Sequence, residues 1–383
     1  MRISKKVEQL APSGIRAFFD LVLGMKDVIS LGVGEPDFVT PWHVRQAAIH
    51  SLEQGFTSYT SNKGMIELRR EIAAFLKKRH GLDYDPEEEM LITVGVSEGL
   101  DLAMRAILNP GERIFIPDPS YVSYGPVVEL AGGVPVLLPT DIKGNFKITP
   151  KQVEEAVGKG AKGILLNYPC NPTGASYTKK ELEVLAKVFA KHDLIVLSDE
   201  IYDELTYDFD HTALPTFAGM RSRTVYLNGF SKAYAMTGFR IGYACGPKDL
   251  IDAMTKIHQY TMLCVPITGQ MAAIEALKSG NKDVLAMKKE YHRRRDFMVE
   301  ALNDCGLTCH MPEGTFYVFP SITATGESSM DFARNLLQQQ KVALVPGIAF
   351  GQSCAGHVRI SYASSYDNLK EAAARIKSYL KKR

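Results

Sequence analysis

Seven short apolar runs alternate with longer mixed stretches through the middle of this chain, and that alternation restricts the fold more than any other feature. The runs are Met90–Val94, Arg113–Ile116, Val134–Leu138, Gly163–Asn167, Leu194–Ser198, Thr224–Leu227 and Ile241–Cys245. Each has the length of a buried strand, and several end at turn-forming residues. Amphipathic stretches such as Lys179–His192 lie between several of them. Strands separated by helices build a mostly parallel sheet covered on both faces, with ligands at the carboxyl ends of the strands. Residues beyond 281 read differently. Lys282–Cys305 is predicted as a long charged helix, Phe316–Phe319, Val342–Val345 and Val358–Tyr362 as short strands, and Tyr366–Lys382 as a closing helix. This part is an α+β unit, and Lys381-Lys382-Arg383 is a solvated helix end. The first forty residues are loop-rich, with Gly32, Gly34 and Pro36, and Pro41 follows directly.

The chain has 383 residues, enough for two cores. Its net charge is only +2, from 45 basic and 43 acidic side chains, so electrostatics argues for neither nucleic acid nor a membrane surface as partner. No run approaches the roughly 18–20 apolar residues of a membrane span, and no apolar segment follows Arg2, Lys5 and Lys6 as in a signal peptide. A cytoplasmic protein is expected. The six cysteines (170, 245, 264, 305, 309 and 354) are scattered and suggest no disulfide framework. Cys305, Cys309 and His310 lack a second ligand pair, so no metal is expected.

Chemistry gathers around Lys232. The run Thr224–Leu227 ends at the turn Asn228-Gly229, the lysine follows just past the strand end, and Arg240 comes eight positions later. A lysine kept from bulk water attacks a carbonyl as a free amine, and an arginine fork grips a phosphate. The pair suits an aldehyde that carries a phosphate, namely pyridoxal phosphate. In Thr93–Leu100 a strand passes through Gly95 into a helix expected over Glu98–Ile107, whose free amides at Val96 and Ser97 favour an anion. Ser97 reads equally as a helix N-cap. Asp199 follows a strand and Tyr202 lies three residues on; a buried carboxylate there would keep a pyridine nitrogen protonated, or simply start a loop. Asn167–Gly174 places Asn171 in a proline-rich loop at the same sheet edge, or forms an ordinary turn.

Four motifs occur in order: Pro169-Cys-Asn-Pro-Thr-Gly174, Ser198-Asp-Glu-Ile-Tyr202, Ser231-Lys232 with Arg240, and Val358-Arg-Ile-Ser361. With them the chain resembles the class I/II pyridoxal-phosphate-dependent aminotransferases of fold type I, and most closely the prokaryotic aspartate and aromatic amino acid enzymes. The resemblance runs from about Leu31 to the C-terminus. It implies an α/β fold: a three-layer large domain around a mostly parallel seven-stranded sheet, expected over 43–281, and a smaller α+β domain from 282–383 with residues 1–42. It implies Lys232 as the lysine bound to the cofactor aldehyde, Asp199 as partner of the pyridine nitrogen, and Asn171 and Tyr202 as partners of the phenolic oxygen. Tyr121, in Pro117–Tyr124, falls where the family stacks an aromatic ring on the cofactor. Arg240 matches the phosphate arginine, Arg359 the arginine that clamps the substrate α-carboxylate, and Gly34 a glycine whose amide helps that clamp. Tyr59 matches a tyrosine that reaches the phosphate in the neighbouring subunit, which makes the active unit a homodimer with shared sites. Cis peptide bonds are expected at Asp118–Pro119 and Asn171–Pro172. Two departures matter. Gly229 stands where some members have a phosphate-binding serine, so Ser231 or Ser97 takes that contact, and Tyr121 stands where many aspartate-type enzymes have tryptophan.

The implied reaction moves the amino group of an L-amino acid (aspartate, aromatic or broad range) to a 2-oxo acid, 2-oxoglutarate being the expected acceptor, in a ping-pong cycle. A carbon–sulfur β-lyase would use the same Lys232, Asp199 and Arg359. A nicotinamide dehydrogenase is disfavoured, because Gly32-Val-Gly34-Glu-Pro-Asp37 has no third glycine and opens no clear helix. A non-catalytic cofactor-binding regulator would be expected to carry a DNA-binding module, and none is legible here.

Overall fold

The computed structural model describes residues 3–11, 14 and 25–381. Lys382 and Arg383, part of the predicted solvated helix end, lie outside the described residues, as does Arg2. All seven predicted strands form, and they share one sheet. In spatial order they are Met90–Val94, Ile241–Cys245, Thr224–Gly229, Ile195–Asp199, Ala161–Asn167, Arg113–Asp118 and Val134–Pro139. The pairings are parallel except those of Ile241–Cys245, which runs antiparallel to both neighbours. The expectation of a mostly parallel seven-stranded sheet therefore holds. Thr224–Gly229 is buried at every position, as a central strand covered on both faces must be.

Helices cover both faces. Gly95–Ile107 packs Leu100, Ala103, Met104 and Ile107 against the sheet with Ile251 and Met254 of Lys248–Thr261. It begins three residues before the predicted Glu98, and Gly95 takes a φ of 70° at the strand-to-helix corner. Lys179–Lys191 starts at a capping box, Thr178 with Glu181, and buries Leu182, Leu185 and Phe189. Ile66–His80 and Ile267–Ser279 enclose a further core around Leu68, Ile72, Ala272 and Phe230.

Beyond the long helix Asn281–Asp304, Tyr317–Val318, Val345–Pro346 and Val358–Ser361 form a three-stranded antiparallel sheet with the last in the middle. The predicted strand Val342–Val345 is in fact two. Val342–Ala343 pairs in parallel with Ile29–Ser30, and Val345–Pro346 joins the other sheet. One apolar run thus serves two partners, so its continuity in sequence misleads. The pairing with Ile29–Ser30 and the bond from the Ser361 amide to the Leu31 carbonyl carry residues 29–31 onto this C-terminal part. The helices Ser329–Gln340 and Tyr366–Lys381 close its core with Phe332, Leu336, Leu369 and Tyr379.

Candidate active site

The carboxyl ends of the central strands and the strand Val358–Ser361 line one cavity of about 510 Å³. Asp199 is the last residue of Ile195–Asp199, with 4% of its surface exposed. Tyr124 donates its phenol to Asp199 Oδ2 at 2.7 Å, and the Ile201 amide donates to Oδ1 at 3.2 Å. Burial pushes the Asp199 carboxyl up from 3.8 to about 6, against the pull of the Tyr124 bond. Lys232 lies just past Thr224–Gly229, and its Nζ donates to the Gly34 carbonyl at 2.6 Å. Burial, then the charge of Arg359, lowers this amine from 10.5 to about 8. A lysine at its ordinary value is almost wholly protonated near neutrality. This one gives up its proton far more readily, so a fraction is free amine near neutrality, as a nucleophile or proton acceptor must be.

A further cation, Arg240, lines the same cavity. Arg240 has a left-handed backbone, φ 57°, and its guanidinium lies over Gly95, where an added Cβ would sit 2.7 Å from Nη2. A Cβ on Gly242 would come within 2.6 Å of the Val96 amide nitrogen. Two glycines thus let Arg240 and the first amides of Gly95–Ile107 converge, beside Val96, Ser97 and Ser231. Ser97 is not the N-cap, the alternative its sequence context left open; Val94 holds that position. This donor set fits a phosphate, and Asp199 and Lys232 are of the kinds that would partner a pyridine nitrogen and an aldehyde.

Arg359 is 2% exposed in the middle of its strand. It donates from Nη1 to Asn171 Oδ1 at 2.9 Å and from Nη2 to the Gly32 carbonyl at 2.6 Å, while Nε has no partner among the described residues. Its plane lies 4.4 Å from the Tyr317 ring centre. Gly34 contributes its carbonyl to Lys232, and a side chain there would meet the Tyr317 hydroxyl at 2.8 Å. Tyr202 and Tyr317 share a hydroxyl contact of 3.0 Å. Asn167 ties the loop to the strand, accepting from the Asn171 amide and donating to the Asp199 carbonyl. The peptides Asp118–Pro119 and Asn171–Pro172 are cis, as expected, and so is Tyr168–Pro169.

Every residue singled out from the sequence lines this cavity except Tyr59, which is 83% exposed and outside it. The sequence reading passed over several residues that do line it, among them Tyr124, Tyr317, Asn167 and Glu35. Tyr124 and Tyr317 meet their partners only across 75 and 115 positions of chain. Asn167 was seen only as a strand end. Glu35, at the mouth, accepts from the Thr237 hydroxyl at 3.1 Å.

A buried lysine with a lowered pKa, a buried aspartate and two arginines in one cavity fit an aldehyde cofactor bearing a phosphate and a carboxylate substrate. Comparison with known proteins agrees. Residues 26–376 match the family model described as aminotransferase class I and II. YugH of Bacillus subtilis (strain 168), an aminotransferase by name only, is 54% identical over 99% of this chain and 98% of its own. The aspartate aminotransferase of Pyrococcus abyssi (strain GE5 / Orsay) is 43% identical over 100% and 99%. The crystal structure of an aromatic aminotransferase from Pyrococcus horikoshii OT3 superimposes with a TM-score of 0.91 at 42% identity, covering 96% of this chain and 99% of that one. The chain belongs to the class I and II aminotransferases: it is a pyridoxal-phosphate-dependent transaminase acting on amino acids.

Proposed function

We propose that Lys232, Asp199, Arg240 and Arg359 carry the reaction, Lys232 as the base and the others as its frame. The observation that carries this reading is their convergence in one cavity with the Lys232 amine lowered to about 8. Pyridoxal phosphate, when bound, supplies an aldehyde that exchanges amino groups and a protonated ring that draws electrons from the substrate α-carbon. Arg240, the Val96 and Ser97 amides and Ser231 would hold its phosphate. Asp199 would hold the ring nitrogen, Asn171 and Tyr202 the phenolic oxygen, and Tyr121 would stack on the ring. Arg359 grips the α-carboxylate with its fork, orienting the α C–H bond toward Lys232 Nζ. Lys232 Nζ then takes the α-proton as base and returns it as acid. Aspartate, an aromatic amino acid or a broad range of L-amino acids is the donor and 2-oxoglutarate the acceptor, in a ping-pong cycle. The test is a panel of amino donors with 2-oxoglutarate. Glutamate should form with a 2-oxo acid from the donor, and neither without the other substrate under catalytic turnover. Pyruvate released from a cysteine-type donor without acceptor would instead mark a carbon–sulfur β-lyase.

The same reading divides the chain into a large domain over 43–281 and a small domain from 1–42 and 282–383. The pairing of Ile29–Ser30 with Val342–Ala343 supports the grouping of the two ends. No helix among the described residues is long and apolar enough to cross a membrane, and we place the enzyme in the cytoplasm. It works as a homodimer with shared sites. Trp42, Ile49, Leu52, Phe56 and Tyr59 are exposed along one helix and its following loop, an apolar surface of the kind a second chain covers. Tyr59 then reaches the partner's cofactor phosphate. Mixing tests this: Tyr59→Ala and Lys232→Ala homodimers should both be impaired, the second almost completely. A mixed dimer has one doubly defective site and one intact site, so co-refolding should raise activity above either parent. No gain, with mixed dimers shown to form, would confine Tyr59 to its own subunit.

A further inference from the structure

Tyr124 opens the helix Tyr124–Leu130, and only 1% of it is exposed. Its phenol donates to Asp199 Oδ2 at 2.7 Å. Its ring meets that of Tyr121 edge-on, with centres 5.6 Å apart, and its amide bonds the Tyr121 carbonyl at 3.0 Å. One side chain thus contacts both the carboxylate assigned to the pyridine nitrogen and the ring assigned to stack on the cofactor.

We infer that Tyr124 is a positioning residue that keeps Asp199 ionised and aimed into the cavity, and so sets how strongly electrons are drawn from the substrate α-carbon. This rests on the assignment of Asp199 proposed above. A hydrogen bond donated to a carboxylate favours its charged form, and more so in a water-poor site. Asp199 needs that help, because burial raises it to about 6 even with the bond in place. The other groups that act on it come from several elements. Glu200, next in the chain, raises it further, and Lys232, past the neighbouring strand, lowers it. Cys170, from the proline-rich loop, and Tyr202 also face it. Among the described residues, only Tyr124 and the Ile201 amide donate a hydrogen bond to the carboxylate. Without Tyr124, Asp199 becomes more basic. A more basic Asp199 draws the shared proton toward itself and away from the ring nitrogen, which weakens electron withdrawal. The sign for pH follows. Activity that needs the carboxylate is lost as pH falls through its pKa, so raising that pKa moves the acid limb to higher pH.

The experiment compares wild type, Tyr124→Phe, Asp199→Asn and the double variant as holoenzymes, with cofactor binding measured on the apo proteins. Phenylalanine keeps the ring and its packing on Tyr121 and removes only the donor. In Tyr124→Phe, kcat should fall about tenfold, the acid limb of its pH profile should rise by about one unit, and KM for the donor should change less than about threefold. The pH at which the apo protein loses affinity for pyridoxal phosphate, read by fluorescence, should rise in the same direction. In the Asp199→Asn background the same change should cost less than about twofold, because the acceptor charge is gone. An unmoved acid limb and unmoved binding profile beside an inactive Asp199→Asn would overturn the role of Tyr124 alone. A full tenfold loss in the Asn background would do the same. Near-normal activity of Asp199→Asn by itself would overturn the assignment of Asp199, and this inference with it.

Discussion

Lys232→Ala loses transamination almost completely while the protein stays folded and still binds pyridoxal phosphate. Removal of a catalytic base alone costs ~10²–10⁴-fold, and here the nucleophile goes with it. Folding should survive for a reason of charge. In the folded chain the amine titrates near 8 instead of 10.5, because burial and Arg359 oppose its charge. The folded state therefore binds its proton less tightly than the unfolded chain, and at pH 7 the ammonium destabilises the apo protein. Alanine removes that burden and leaves the Gly34 carbonyl facing the cavity, where water can reach it. The phosphate donors around Arg240 and the Asp199 carboxylate are untouched. Differential scanning calorimetry of the apo variant should give a Tm no lower than that of wild type at pH 7. Turnover within a few-fold of normal would remove Lys232 from the chemistry.

Asp199→Asn is the second large effect. An amide cannot hold a pyridine nitrogen protonated, so kcat should fall by orders of magnitude while KM for the carboxylate substrate, whose grip we assign to Arg359, moves little. Stability should move the other way. Asp199 has its carboxyl raised from 3.8 to about 6, so the folded protein prefers it protonated. That preference favours the fold below about pH 4 and is lost as pH rises through 6, leaving an ionised buried carboxylate that costs up to ~3 kcal/mol. Asparagine avoids this cost and still accepts from Tyr124. The apo variant should therefore melt at or above the wild-type temperature at pH 7.5, with less of an advantage at pH 4.5. An inactive variant that is also markedly less stable at pH 7.5 would mark Asp199 as structural.

The central strands of the sheet were legible because they are buried on both faces and rich in apolar residues, as in Met90–Val94 and Thr224–Gly229. Several helices were not. Ile66–His80 mixes its buried Leu68, Ile72 and Leu76 with charged residues, and Arg69 is itself buried, its guanidinium bonding the Gly64 and Pro86 carbonyls. Val342–Val345 looked like one strand because hydrophobicity records burial and not pairing partner. At the site, the residues with unusual chemistry stood out: Asp199 at a strand end, Lys232 and Asn171 in the segments that follow strands, and Arg359 within one. Tyr124 and Tyr317 did not, because a buried tyrosine in the core and a tyrosine bonded to a functional group look alike until the fold brings them together. Tyr59 shows the reverse limit. Its proposed role requires a second chain, and in one chain it is simply exposed.

The central claim is that Lys232 is the residue that binds the cofactor aldehyde, and a covalent map tests it most directly. The wild-type protein is loaded with pyridoxal phosphate, reduced with borohydride and digested, and the labelled peptide is located by mass spectrometry. The account predicts one labelled peptide, with the added mass on Lys232, and no such label in Lys232→Ala. Label on a different lysine, or equal labelling of the Lys232→Ala protein, would contradict it.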